Sequence, residues 1–132
     1  SIDTEAKNTF FEFDYSLHSI PSGRCKITYA KGEVTKSIAH SGDTKYDISK
    51  ITEWHEKGVF TQTEKMEFLG LYGILIIIHD GGGGNLHTDY ESLIHFDKKI
   101  KQKIILVHQN GKPHPKSQLR YAVDGETISL IK

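Results

Sequence analysis

Apolar and polar residues alternate from Phe11 to His18, where Phe11, Phe13, Tyr15 and Leu17 interleave with Glu12, Asp14, Ser16 and His18. A period of two marks a half-buried strand. Pro21, Ser22 and Gly23 supply a turn, Ile27 and Tyr29 alternate with Lys26 and Thr28 up to Lys31-Gly32, and Val34 and Ile38 continue the pattern. The first forty residues thus predict a three-stranded antiparallel meander after a loose polar lead-in at residues 1–8. Beyond Ser41-Gly42-Asp43 the period changes. Ile48, Ile51 and Trp54 share a helical face that stops at Gly58, predicting a helix over 47–57. Thr61 and Glu64 then have capping-box spacing ahead of Met66, Phe68 and Leu69, so a second helix completes an αα-hairpin. Its joint, Gly58-Val59-Phe60, is apolar and neither helix carries a row of cations, so packing rather than DNA recognition is expected.

Two runs do not alternate at all: Ile74 to Ile78, and Ile104-Ile105-Leu106-Val107. Such strands are expected to be covered on both faces. Asp124-Gly125 between Leu119-Tyr121-Val123 and Ile128-Leu130 is a strong hairpin signal. Residues 86–101 read either way, with Thr88 and Glu91 at capping-box spacing tilting them towards helix. The fold class that follows is α+β: a largely antiparallel sheet made of the meander, two buried central strands and a C-terminal hairpin, packed by the αα-hairpin.

Composition adjusts this picture in a few places. The 132 residues are expected to form a single domain, 1–132, and roughly a quarter of them are Leu, Ile, Val or Phe, enough for a core. One cysteine, Cys25, excludes a disulfide framework and multi-cysteine metal sites, and a small half-buried hydrophobe is its expected role. No run reaches the roughly 18–20 apolar residues of a membrane span, so no membrane partner is expected. A chain starting on Ser1 is expected to be processed or excised, and the compartment is left open. The formal charge is zero overall but unevenly spread, at −6 over residues 1–97 and +7 over residues 98–120.

The main chemical candidate is the segment His79, Asp80, Gly81, Gly82, Gly83, Gly84, Asn85, where a buried strand runs into backbone without side chains. Strand-end loops are favoured places for sites, and glycine amides let a ligand approach the main chain. These seven residues are the expected binding loop. The third glycine of a dinucleotide fingerprint is missing, and no Gly-Lys-Ser/Thr follows for a P-loop. Residues 76–83 resemble the strand and His-Gly-Gly-Gly oxyanion loop of lipases and esterases in the α/β-hydrolase family. That resemblance implies a nucleophile elbow, and no Gly-x-Ser-x-Gly occurs in the chain.

Eight histidines, at 18, 40, 55, 79, 87, 95, 108 and 114, invite other readings. Neither His-Glu-x-x-His nor His-x-His is present, so no metal and no cofactor are expected, although His79, Asp80, His87 and Asp89 would make a three-dimensional donor set. The leading functional expectation is a small protein-binding or inhibitor-type, immunity-like module with another protein as partner. The alternative is a compact metal-independent ribonuclease or toxin domain. There, His87, His95 and His108 would move protons beside Lys103, and Lys98, Lys99, Lys101, Lys103, Lys112, Lys116 and Arg120 would hold RNA.

Overall fold

The computed structural model describes residues 8–71, 76–109 and 116–129. The expectations at residues 1–7, Ile74, Leu75, Lys112, His114 and Leu130 lie outside them. The elements run β1 (Thr9–Tyr15), β2 (Gly23–Lys31), β3 (Val34–His40), α1 (Ile48–Glu56), α2 (Gln62–Leu69), β4 (Ile76–Asp80), α3 (Tyr90–Leu93), α4 (Lys98–Lys101), β5 (Ile104–Val107) and β6 (Arg120–Tyr121). No helix among the described residues is long and apolar enough to cross a membrane.

The architecture is mixed α/β, with one six-stranded sheet whose spatial order follows the chain. The meander forms in full: β1 and β3 flank β2 antiparallel, and Lys31 pairs Val34 across a two-residue turn in which Gly32 takes φ +59°, the positive φ that twisted hairpin turns demand. β4, β5 and β6 then add in parallel. This corrects the largely antiparallel sheet, and the cause is the connections. The α1–α2 hairpin and the α3–α4 turns carry the chain back to the same sheet end before β4 and β5, which a parallel pair requires. The αα-hairpin has its caps where the sequence places them. Asp47 accepts from the Lys50 amide at 3.0 Å, and Thr61 and Glu64 satisfy each other's amides at 2.7 and 3.2 Å.

The C-terminal hairpin also needs correction. The Asp124-Gly125 turn forms, with Glu126 N bonded to Val123 O at 3.1 Å, and Glu126 closes it by taking the Arg120 guanidinium. Among the described residues its second arm pairs with no strand; β6 pairs with β5 instead. A turn is a local event, and the open edge of β5 claimed the strand.

Register decides which side chains share a face. Ile77, opposite Ile104, and Leu106, opposite His79, point to the side where Ile51 of α1, Phe68 of α2, Leu71 and Leu93 close the core. Phe11, Cys25, Ile27, Ile38, Ile76 and Ile78 occupy the other side and are half-buried or exposed. The isoleucine runs are therefore central strands, but not both faces of the first are sealed by the described residues. The lack of alternation reported apolar character on both sides, not cover on both sides. Arg24 fastens the meander to the helices, its buried guanidinium reaching Asp14 at 3.0 Å and Glu67 at 3.2 Å, above the Phe68 ring.

Neighbouring isoleucines should therefore differ in urea unfolding. Ile77→Ala is expected to cost about 2–5 kcal/mol through its cavity, and Ile78→Ala, whose side chain is only partly buried, clearly less. Equal costs would show that the second face is sealed after all.

Candidate functional site

β1, β3, β4 and β5 all run in one direction, so their carboxyl ends meet along a single edge of the sheet. Ligand sites of open α/β sheets gather at such an edge. Each strand delivers a polar side chain there: His18 after β1, Asp43 after β3, Asp80 ending β4 with His87 in the loop beyond, and His108 directly after β5.

Asp80 is 1% exposed and organises the group. Its Oδ2 accepts from the Thr44 amide at 2.8 Å and lies 2.7 Å from His87 Nδ1; its Oδ1 accepts from the Gly82 amide at 2.9 Å. Its own amide donates to Ser41 Oγ at 2.9 Å. Asp43 stands in the same relation to His108, with Oδ1 3.0 Å from Nδ1. The ring centroids of His87 and His108 are 4.3 Å apart, and that of His18 lies 5.3 Å from His87. Asp80, His87 and His108 bring one ligand atom each within 4.8 Å of one another, and His18, Asp43 and His87 do the same. His18 Nε2 is buried with no hydrogen-bond partner among the described residues.

The glycine loop is built around these rings. A Cβ on Gly82 would lie 2.8 Å from the His108 carbonyl oxygen and 3.1 Å from the His87 ring, so only glycine fits between them. Gly83 and Gly84 take φ +71° and +73°, and Asp89 closes the turn by accepting from the Gly84 amide at 3.1 Å. Lys45 reaches both Gly84 O, at 2.7 Å, and Asp89; its hydrogen bond holds the Asp89 carboxyl below the usual carboxylate range. His108 itself sits at φ +56°, a strained backbone for a residue with a side chain.

The residues singled out from sequence are distributed unevenly. Asp80, Gly82 and His87 meet His108 at the centre, while Gly81, Gly83, Gly84 and Asn85 belong to the loop around it. His79 does not face this cluster: it points to the helix side, 2% exposed, with Nδ1 2.8 Å from the Asp80 carbonyl. Burial pushes its pKa down from 6.5 and keeps the ring neutral. His95 lines another cleft, with Tyr46, Ser49 and Glu91. Lys103 precedes β5 and so lies at the opposite end of that strand from His108, and the proton-transfer set of His87, His95, His108 and Lys103 is not assembled. Lys98, Lys99 and Lys101 lie on α4, Lys101 bonded to Gln118, and Arg120 is taken by Glu126. His18 and Asp43 were missed, although each stands three residues beyond an alternating strand, a position as informative as that of Asp80.

No family model matches the chain. Over 92% of its length it is 32% identical to the cAMP/cGMP-dependent 3',5'-cAMP/cGMP phosphodiesterase B of Dictyostelium discoideum. Over 91% it is 30% identical to the cGMP-dependent 3',5'-cGMP phosphodiesterase A of the same organism. The chain spans only 11% and 14% of these relatives. Among solved structures it is similar to the metallo-beta-lactamase fold protein YhfI from Bacillus subtilis, with a TM-score of 0.53 at 11% identity, over 92% of this chain and 50% of that one. At that identity the likeness is one of fold. These findings overturn the protein-binding, inhibitor-type, immunity or toxin reading, which rested on the lack of a complete catalytic set in the sequence. The histidine–carboxylate cluster has no local signature there because its members come from four strand ends.

Two outcomes test this geometry. Gly82→Ala should lower the melting temperature and move the His87 and His108 ring resonances, whereas Gly125→Ala, with open space around it, should leave those resonances in place. Because the folded pKa of His79 lies below 6.5, the unfolded chain takes up that proton first. Its contribution to stability is present in full above pH 6.5 and is lost as pH falls. Unfolding free energy measured on the acid side should fall less steeply for His79→Asn than for the native chain; an unchanged slope would contradict a buried neutral ring.

Proposed function

We propose that this chain forms part of a metal-dependent phosphodiester hydrolase acting on cyclic nucleotides, with its chemistry at the carboxyl edge of the sheet. One observation carries the proposal: two histidine–carboxylate pairs, Asp80–His87 and Asp43–His108, stand with their rings 4.3 Å apart. The phosphodiesterase relatives and the metallo-beta-lactamase fold likeness support it.

The donor set suits a divalent transition metal, since imidazole and carboxylate are the ligands zinc takes besides thiolate. Asp80, His87 and His108 would hold it, with His18 and Asp43 alongside. A bound ion supplies positive charge opposite the phosphoryl oxygens and makes water more acidic at neutral pH. The chain does the positioning. Asp80, fixed by two backbone amides, holds His87 in one orientation through Nδ1, and Asp43 does so for His108.

Titration of the metal-free chain with Zn²⁺ should show saturable uptake that weakens as pH falls, because protons compete with the metal for its ligands. His87→Ala should abolish it, Asp43→Asn, which loosens the partner that orients His108, should weaken it about 10–100-fold, and His95→Ala should leave it unchanged. No uptake by the native chain, or equal uptake by His87→Ala, would sink the proposal.

A further inference from the structure

A cleft of about 240 Å³ adjoins the histidine cluster and shares His18 with it; its other walls are Leu17, Ser19, Lys45, Asp47, Lys50, Trp54, Asn85 and Leu86. We propose that this cleft is the nucleoside subsite, taking the planar base of a nucleotide whose phosphate lies towards His18. The inference rests on the phosphodiester reading above and adds what selects the substrate.

Three features of the walls fit that ligand. Trp54, Leu17 and Leu86 give the cleft apolar surface, and an indole is the side chain best suited to stack on a base. Trp54 is fixed from behind by Phe60, ring centroids 5.6 Å apart, and packs against the core, so its position is set before any ligand arrives. Leu86 is 46% exposed, although it directly precedes the central His87. An apolar side chain left in solvent beside a polar cluster is the kind of surface a ligand covers.

The polar lining fits the rest of a nucleotide. Lys45 and Lys50 stand against Asp47, whose carboxylate is already engaged by the Lys50 amide at 3.0 Å. Lys45 is held by Asp89, whereas the Lys50 ammonium is exposed and has no ion pair among the described residues. The Asn85 amide offers both a donor and an acceptor, which is what the edge of a base requires. His18 Nε2, buried and unpartnered among the described residues, sits where cleft and cluster meet. A phosphate beside Lys50 would supply its counter-charge. A purely apolar ligand would leave Lys50 and Asn85 unanswered, and an inorganic phosphate would leave Trp54 and Leu86 uncovered.

The chain contains a single tryptophan, so its fluorescence reports on this cleft directly. In EDTA, with no metal and no turnover, titration of the full chain with 5'-AMP should quench Trp54 saturably, and dimethyl phosphate should not. Lys50→Glu should weaken AMP binding about tenfold while leaving adenosine unaffected. Leu86→Ser should weaken both. Neither variant touches a buried position, so loss of folding is not a confounding outcome, and circular dichroism checks that. Zn²⁺ uptake without any AMP quenching up to about 10 mM would overturn the subsite and leave the hydrolase reading standing. AMP quenching without Zn²⁺ uptake would do the reverse. Equal quenching by dimethyl phosphate, or none that responds to Lys50→Glu, would also overturn the subsite.

Discussion

A carboxylate buried at the end of the central strand is the constraint on which the site depends. Asp80 cannot stay ionised out of water without partners, and an unpaired buried charge costs several kcal/mol. Its partners come from three places: the Thr44 amide after β3, the Gly82 amide one turn on, and His87 in the loop beyond. Satisfying this one side chain therefore fixes two loops and aims a histidine. Ser41 and Thr88 extend the arrangement: Ser41 accepts from the Asp80 amide, while Thr88 accepts from Tyr46 and donates to Thr44. The result is a polar network in which nearly every member answers another.

The sheet makes this convergence available. An antiparallel sheet alone would have sent successive strand ends to opposite edges. Turning parallel at β3–β4 places the ends of β3, β4 and β5 side by side, and the antiparallel start brings β1 into the same direction. His18, at the far side of this row, links the cluster to the cleft beneath α1. The histidine cluster and the cleft thus share one edge, while Arg24 and the apolar face of the helices hold the rest of the molecule behind it. The relatives are roughly seven to nine times longer than the aligned chain, as its 14% and 11% coverage of them implies.

Much of the local structure was legible in the amino-acid order. Alternation from Phe11 to Ile38 located the meander, the Thr61–Glu64 pair located the start of α2, and the isoleucine runs located the central strands. Each of these signals is satisfied by neighbours in sequence or by the choice between inside and outside. The tetraglycine segment also pointed to the strand end where the histidine–carboxylate cluster lies.

What the sequence determined by itself was the meander, the αα-hairpin, the two isoleucine-rich strands and the loop at Asp80 to Asn85. Only the tertiary structure decided that β4 to β6 run parallel, that the Asp-Gly turn has no paired second arm among the described residues, and that His79 faces the core while His18 and Asp43 face the cluster. Strand direction follows from long crossovers and not from any residue pattern, and the face a residue occupies follows from register. The members of the cluster are up to 90 residues apart in the chain, from His18 to His108. No local spacing encodes such a group; it exists because four strand ends were packed against the same buried charge.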